Sequence, residues 1–438
     1  MLLNAADKAL WRLALPMIFS NITVPLLGLV DTAVIGHLDS PVYLGGVAVG
    51  ATATSFLFML LLFLRMSTTG LTAQAWGAKD PQRLARALVQ PLALALGAGV
   101  LIILLRLPLI DLALHIVGGS EAVLEQARRF LEIRWLSAPA SLANLVLLGW
   151  LLGVQYARAP VILLVVGNLL NIVLDLWLVM GLRMNVQGAA LATVTAEYAT
   201  LIIGLLMAKR VLTLRGVSLA MLKNAWRGDL RRLLALNRDI MLRSLLLQLC
   251  FGALTVFGAR LGSEIVAVNA VLMTMLTFTA YALDGFAYAV EAHSGQAYGA
   301  RDGSQLLEVW RAACRQSGMV ALAFALIYSL AGQYIIALLT SLPSLQQLAD
   351  RYLIWQTILP VVGVWCYLLD GMFIGATRGA EMRNSMAVAA AGFAVMLLTL
   401  PVLGNHGLWL ALAVFLALRG LSLALIWRRH WRRGTWFS

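Results

Sequence analysis

The sequence predicts an all-α polytopic membrane protein, with twelve transmembrane helices in two pseudo-symmetric six-helix bundles. Three observations predict it. Only 12% of the 438 residues are charged, 61% are hydrophobic and the mean hydropathy is +0.87. Soluble chains carry about 25% charged residues, so water could not hold such a surface. Apolar runs of about 20 residues recur along the chain, each long enough to cross a bilayer as a helix. The phrase TAQAWGAKD at Thr72–Asp80 also returns 222 residues later as SGQAYGARD at Ser294–Asp302. Five of its nine positions are identical, and three more are exchanged conservatively.

The expected spans are 13–36, 44–72, 86–106, 130–155, 160–182 and 188–208 in the first half. Those of the second half are 239–261, 265–297, 312–339, 352–376, 385–404 and 407–427. The runs are continuous and lack the dyad alternation of a membrane barrel, so they are helices. With the N-terminus inside, most of the 33 Lys and Arg fall in cytoplasmic segments, the largest block being Lys209–Arg238. Both termini are therefore expected in the cytoplasm. The net charge of +13 then faces anionic lipid headgroups, and no nucleic-acid partner is expected. Cys250, Cys314 and Cys366 are scattered without metal-ligand spacing and read as packing residues, so no metal site is expected. The first apolar segment has no small-residue cleavage site before polar sequence and reads as a retained span.

The repeat extends beyond one phrase. LLGWLLGVQ matches LLDGMFIGAT, with Gly149/Gly371 and Gly153/Gly375 again 222 apart. QGAALA at Gln187–Ala192 resembles HGLWLA at His406–Ala411. A tandem duplication explains three ordered matches. Both halves start on the same side, so the repeat is parallel, an arrangement suited to alternating access around a site between lobes. The expected organisation is an N-lobe at 1–208, a cytoplasmic linker at 209–238, a C-lobe at 239–427 and a basic tail at 428–438.

These residues carry a family resemblance. Pro16 followed by Asp31, QAWGAKD/QAYGARD, NIVLD, GAALAT, LDGFAYAVEA and LDGMFIGATRGAEMRNSM resemble the multidrug and toxic compound extrusion (MATE) transporters. The last two are similar to the DinF-type branch, the DNA-damage-inducible protein F group. The resemblance covers essentially the whole chain. It implies a two-lobe, cation-driven antiporter of a bacterial inner membrane that exports amphipathic, often cationic, organic compounds.

Acids inside spans cost about 2.5–3.5 kcal/mol to insert, so each is a functional candidate. Asp31 and Asp175 should reach similar depth in the N-lobe, on spans that run in one direction. Asn168, Asn171 and Asp175 share one helix face. Two acids brought together would favour holding a shared proton. The resemblance maps a cation site onto Asp31, Asn171, Asp175 and Thr193. Val24 and Leu27 stand where relatives place polar residues, which weakens a sodium cage of several oxygens and favours protons. In the C-lobe, Asp284, Glu291 and Asp370 are candidates to line a substrate cavity, or else to pair with internal arginines. Arg65 and Arg419 also need partners, and Glu197 is one candidate. His293 is a proton relay or a hydrogen-bonded residue near the cytoplasmic mouth. Pro16 removes one helical hydrogen bond and is the candidate hinge.

The function expected is secondary export, with small organic compounds, protons and membrane lipids as partners. The proton gradient is the expected driving force, with sodium the less favoured alternative and no bound cofactor, and the chain is expected to be a monomer. The alternative is a flippase of lipids or lipid-linked precursors, which would need a strongly cationic cavity. An enzyme is not expected, because HExxH, nucleophile and Walker motifs are all missing.

Overall fold

Every long element is a helix because lipid offers no partner for a backbone N–H or C=O, and a helix bonds its own. The computed structural model describes residues 3–38, 40–228 and 230–438, and of 24–33 it describes the backbone alone. Its helices in the first half are α1 Ala5–Gly36, α2 Pro41–Leu60, α3 Phe63–Gly77, α4 Pro81–Leu104, α5 Arg106–Val117, α6 Glu121–Arg134, α7 Ala138–Gly153, α8 Arg158–Asp175, α9 Asn185–Leu214 and α10 Leu219–Lys223. Then follow α11 Leu230–Leu261, α12 Ser263–Ala300, α13 Gly303–Leu339, α14 Pro343–Gly375, α15 Gly379–Met396, α16 Leu400–Leu403 and α17 Asn405–Arg433. Among the described residues there is no strand, and eleven helical stretches are long and apolar enough to cross a membrane. The helix α1 is a further long one and holds the first expected span. Side chains such as Leu330, Leu338 and Val402 are more than 80% exposed, a surface suited to lipid.

The chain forms two compact units. One is Ile22–Leu234, and the other joins Met1–Asn21 to Ala235–Ser438. This division differs from the expected 1–208, 209–238 and 239–427 at both boundaries. The linker through Leu234 belongs to the first-half unit, where Gln90 Nε2 donates to the carbonyls of Trp226 (3.3 Å) and Gly228 (2.8 Å). The opening turns of α1 instead belong with the second half. Trp11 Nε1 donates to Gln316 Oε1 (2.9 Å), and its ring packs edge-on against Phe286. Asn21 Nδ2 donates to the Tyr281 carbonyl (3.1 Å). Asn4 and Asp7 bond reciprocally through side chain and backbone as a capping pair, and Arg315 donates to Asp7 (3.0 Å).

The duplication is visible atom by atom. Asp80 and Asp302 each close the repeated phrase and cap the next helix, accepting from Gln82 and Arg83 in one case and Gln305 in the other. The preceding Lys79 and Arg301 both take the left-handed conformation, each at φ 54°. The repeated glycines allow one close helix approach in each unit. A Cβ on Gly149 would stand 2.6 Å from the Arg65 carbonyl oxygen, and one on Gly371 would stand 2.6 Å from that of Ala287. Arg65 and Ala287 are themselves 222 residues apart. The copies also differ: α2 and α3 are separated at Leu61–Leu62, whereas α12 runs unbroken through the matching Leu283–Asp284.

The segment expected as a basic tail, 428–438, packs against the second unit. The helix α17 continues to Arg433 and Gly434 turns the chain at φ 68°. Trp436 is then buried at 1% exposure against Phe373 and Tyr298, with Arg378 over its ring. Arg378 also donates to the carbonyls of Thr435 (3.0 Å) and Trp436 (2.8 Å).

Two outcomes follow for stability. Gly371→Ala is expected to cost about 1–3 kcal/mol through overpacking, read as a lower melting temperature in detergent. Gly97→Ala, whose Cβ would meet nothing within 4 Å, is expected to be neutral or stabilising; equal losses at both sites would contradict the packing account. Burial pushes the Asp7 carboxyl up, but hydrogen bonds from Arg315 and the Asn4 backbone, with the Arg315 charge, hold it below the ordinary range. A depressed carboxylate contributes stability that is complete above its unfolded value, about 3.9, and fades as pH falls toward its folded value. The melting gap between wild type and Asp7→Asn should therefore be widest at neutral pH and close in acid. A gap constant down to acid would contradict it.

Candidate functional site

In the unit Ile22–Leu234, α8 and α9 bring three of the candidate residues together. Asn171 and Asp175 lie one turn apart on α8 and are 2% and 1% exposed. From α9, Thr193 Oγ1 shares its proton between Asn171 Oδ1 (3.3 Å) and the Ala189 carbonyl (3.2 Å). The Asn171 Nδ2 is buried without an acceptor among the described residues. The helix changes character immediately after Asp175, because Leu176–Gly181 winds as a π-helix. Such segments often mark functional positions, since the wider turn re-aims the neighbouring side chains. Asn168 is half-buried one turn before Asn171. Asp31 lies on α1, but its side chain falls outside the described residues.

The second unit treats its acids differently. The carboxylate of Asp370 on α14 is held by two guanidiniums, with Arg243 Nη2 from α11 at 2.6 Å and Arg419 Nη2 from α17 on the same oxygen, Oδ2. All three residues are buried. Asp370 is thus an ion-pair centre, as the pairing alternative anticipates, and the clamp carries two cations for one anion. Asp284 is half-buried on α12, and both it and Asp370 lie close enough to Cys366 and Tyr367 to act on them electrostatically. The two acids therefore share one neighbourhood. Glu291, two turns along α12, is 2% exposed, and its own carbonyl lies where Gly375 approaches α12.

Other expectations resolve individually. The partner of Arg419 is Asp370. Arg65 Nη1 donates to Thr69 Oγ1 (3.3 Å), while Glu197 accepts from Asn144 Nδ2 (3.1 Å). His293 Nε2 donates to the Ala9 carbonyl (3.2 Å), fastening α12 to the start of α1. Pro16 is half-buried, and α1 continues through it as one helix. Close by, Gly285 of α12 packs against Ala14 and Ile18 of α1. Sequence reasoning missed Arg243 as a site residue. Its signal was the rule that a charge within an apolar span needs a partner.

Two homologous bundles of apolar helices with acids buried inside them define a membrane transporter. The family model MatE matches the chain twice, over residues 16–177 and 240–403. The chain belongs to the MatE family, and its members are transporters rather than enzymes. It is 87% identical over 436 residues to the DNA damage-inducible protein F of Escherichia coli (strain K12), covering 100% of this chain and 95% of that protein. It is 26% identical to Protein DETOXIFICATION 45, chloroplastic, of Arabidopsis thaliana, over 98% of this chain and 79% of the relative. It is 23% identical to a probable multidrug resistance protein NorM of Acinetobacter baylyi, over 96% and 94%. Among solved structures, a multidrug resistance MATE family transporter in an outward-facing conformation shares its fold with a TM-score of 0.83. That match has 23% identity and covers 98% of this chain and 96% of the other.

The double clamp on Asp370 has a measurable consequence. Removing one member of a buried pair leaves charge uncompensated and costs about 3–5 kcal/mol. Asp370→Asn should therefore lower the melting temperature sharply. Adding Arg243→Gln should recover part of the loss, because one unpaired cation is removed. No recovery in the double variant would contradict the clamp.

Proposed function

We propose that this transporter couples inward proton flow to export of amphipathic organic compounds by alternating access. The observation that carries this reading is the buried Asn171–Asp175 pair with Thr193 bonded to Asn171, at the point where α8 turns into a π-helix. The Asp175 side chain is 1% exposed, so binding and losing a proton there changes local charge within a low-dielectric region. Asp31 is assigned to the same site by the family resemblance and by its expected depth. Its helix supplies the link to the rest of the protein: α1 carries Asp31 in one unit, while its residues through Asn21 belong to the other. A proton-dependent change in the bend or position of α1 therefore acts on both units through one continuous helix, with Pro16 as the hinge.

We place the chain in a bacterial inner membrane with both termini cytoplasmic, following its Lys and Arg distribution. Amphipathic organic compounds are the assigned cargo, in line with the multidrug names of relatives. Protons are preferred to sodium because the cluster offers few oxygens, whereas hard cations take six or more.

Reconstituted transport under separately imposed proton and sodium gradients tests this. Export should follow the proton gradient alone, and Asp31→Asn and Asp175→Asn should each abolish coupled export while the protein still inserts and melts normally. Export driven only by sodium, or wild-type export by either variant, would overturn the assignment.

A further inference from the structure

The end of α17 presents Arg428, Arg429, Arg432 and Arg433 to solvent around one pocket that Leu425 also lines. The spacing places the four guanidiniums on one side of the helix. Directly below them on that side, Leu421 and Leu425 are 57% and 56% exposed. The helix rises about 10 Å from Leu425 to Arg432, enough to pass from the acyl region through the headgroup layer.

The opposite side of the same turns is built in. Trp427 and Trp431 stack at 5.3 Å, with Trp310 of α13 beside Trp427. His430 bonds Glu381 (2.9 Å) and Thr435 (2.7 Å), so that acid is engaged away from the arginines. Gly434 then turns the chain so that Trp436 is buried. The four arginines are thus displayed by a helix end fixed in place. Like charges four residues apart repel, and two such pairs, 428/432 and 429/433, are stacked here. An anion on this side relieves that repulsion.

We propose that this face is a binding site for an anionic glycerophospholipid of the adjoining leaflet. Its phosphate is held by Arg428, Arg429, Arg432 and Arg433, and an acyl chain lies along Leu421 and Leu425. The leucines select a lipid over a free phosphate, because only a lipid satisfies both layers. The site depends on α17 crossing a bilayer and not on the transport reading.

The test uses the full-length protein in neutral detergent with mixed micelles of phosphatidylcholine and a small fraction of phosphatidylglycerol. Retained phosphatidylglycerol is counted by native mass spectrometry. Each basic group near an anionic surface is worth about a factor of five in binding. The variant R428Q/R429Q/R432Q/R433Q should therefore bind phosphatidylglycerol about 600-fold more weakly, with an unchanged melting temperature. The variant K209Q/R210Q/K223Q/R227Q removes as many exposed charges elsewhere and should keep wild-type binding. Glycerol phosphate, the headgroup without chains, should not compete. Equal loss in both variants, no loss in the first, or competition by glycerol phosphate would each overturn the proposal.

Discussion

A charged side chain inside an apolar helix must find either an opposite charge or a proton, and this constraint organises the protein. In the unit completed by Ala235–Ser438, Asp370 meets it with two arginines drawn from α11 and α17. Guanidiniums do not lose their protons under physiological conditions, so that carboxylate is fixed as an anion and ties three helices together. In the unit Ile22–Leu234, Asp175 is buried one turn beyond Asn171 on α8, and Asn171 accepts from Thr193 of α9. One duplicated fold thus carries an arginine-clamped acid in one copy and, in our proposal, an acid that exchanges a proton in the other.

What the copies retain is the packing that makes such differences tolerable. Gly149 and Gly371 let α7 meet α3, and α14 meet α12, at the same backbone atoms. Asp80 and Asp302 end the preceding turns with the same cap. These features concern backbone geometry, where a change costs stability at once, so they survived duplication together. Positions facing the interior of each bundle were free to diverge. Leu62 and Asp284 stand at matched positions, as do Leu148 and Asp370.

Much of the fold was legible in the sequence, because each of its signals was local. Span length, basic segments and the repeated phrase all survive without tertiary information. The candidate cluster was legible for a related reason: Asn171 and Asp175 lie on one helix, where periodicity alone shows a shared face. The partners of Asp370 were hidden because Arg243 and Arg419 lie 127 and 49 residues away, and only packing selects them. The division of α1 was hidden as well. Its continuous helix gives no sign that Trp11 and Asn21 bond residues of the second half. The interruption at Leu61–Leu62 has no proline or glycine to announce it, and the π-turns after Asp175 follow an ordinary apolar run.

The central claim is that Asp175 exchanges a proton while Asp370 does not. Infrared difference spectroscopy of the reconstituted protein between neutral and acidic pH observes the carbonyl stretch of protonated carboxyls directly. The expected result is a band that Asp175→Asn removes or shifts and Asp370→Asn leaves in place. A band that persists unchanged in Asp175→Asn, or vanishes only in Asp370→Asn, would contradict the account.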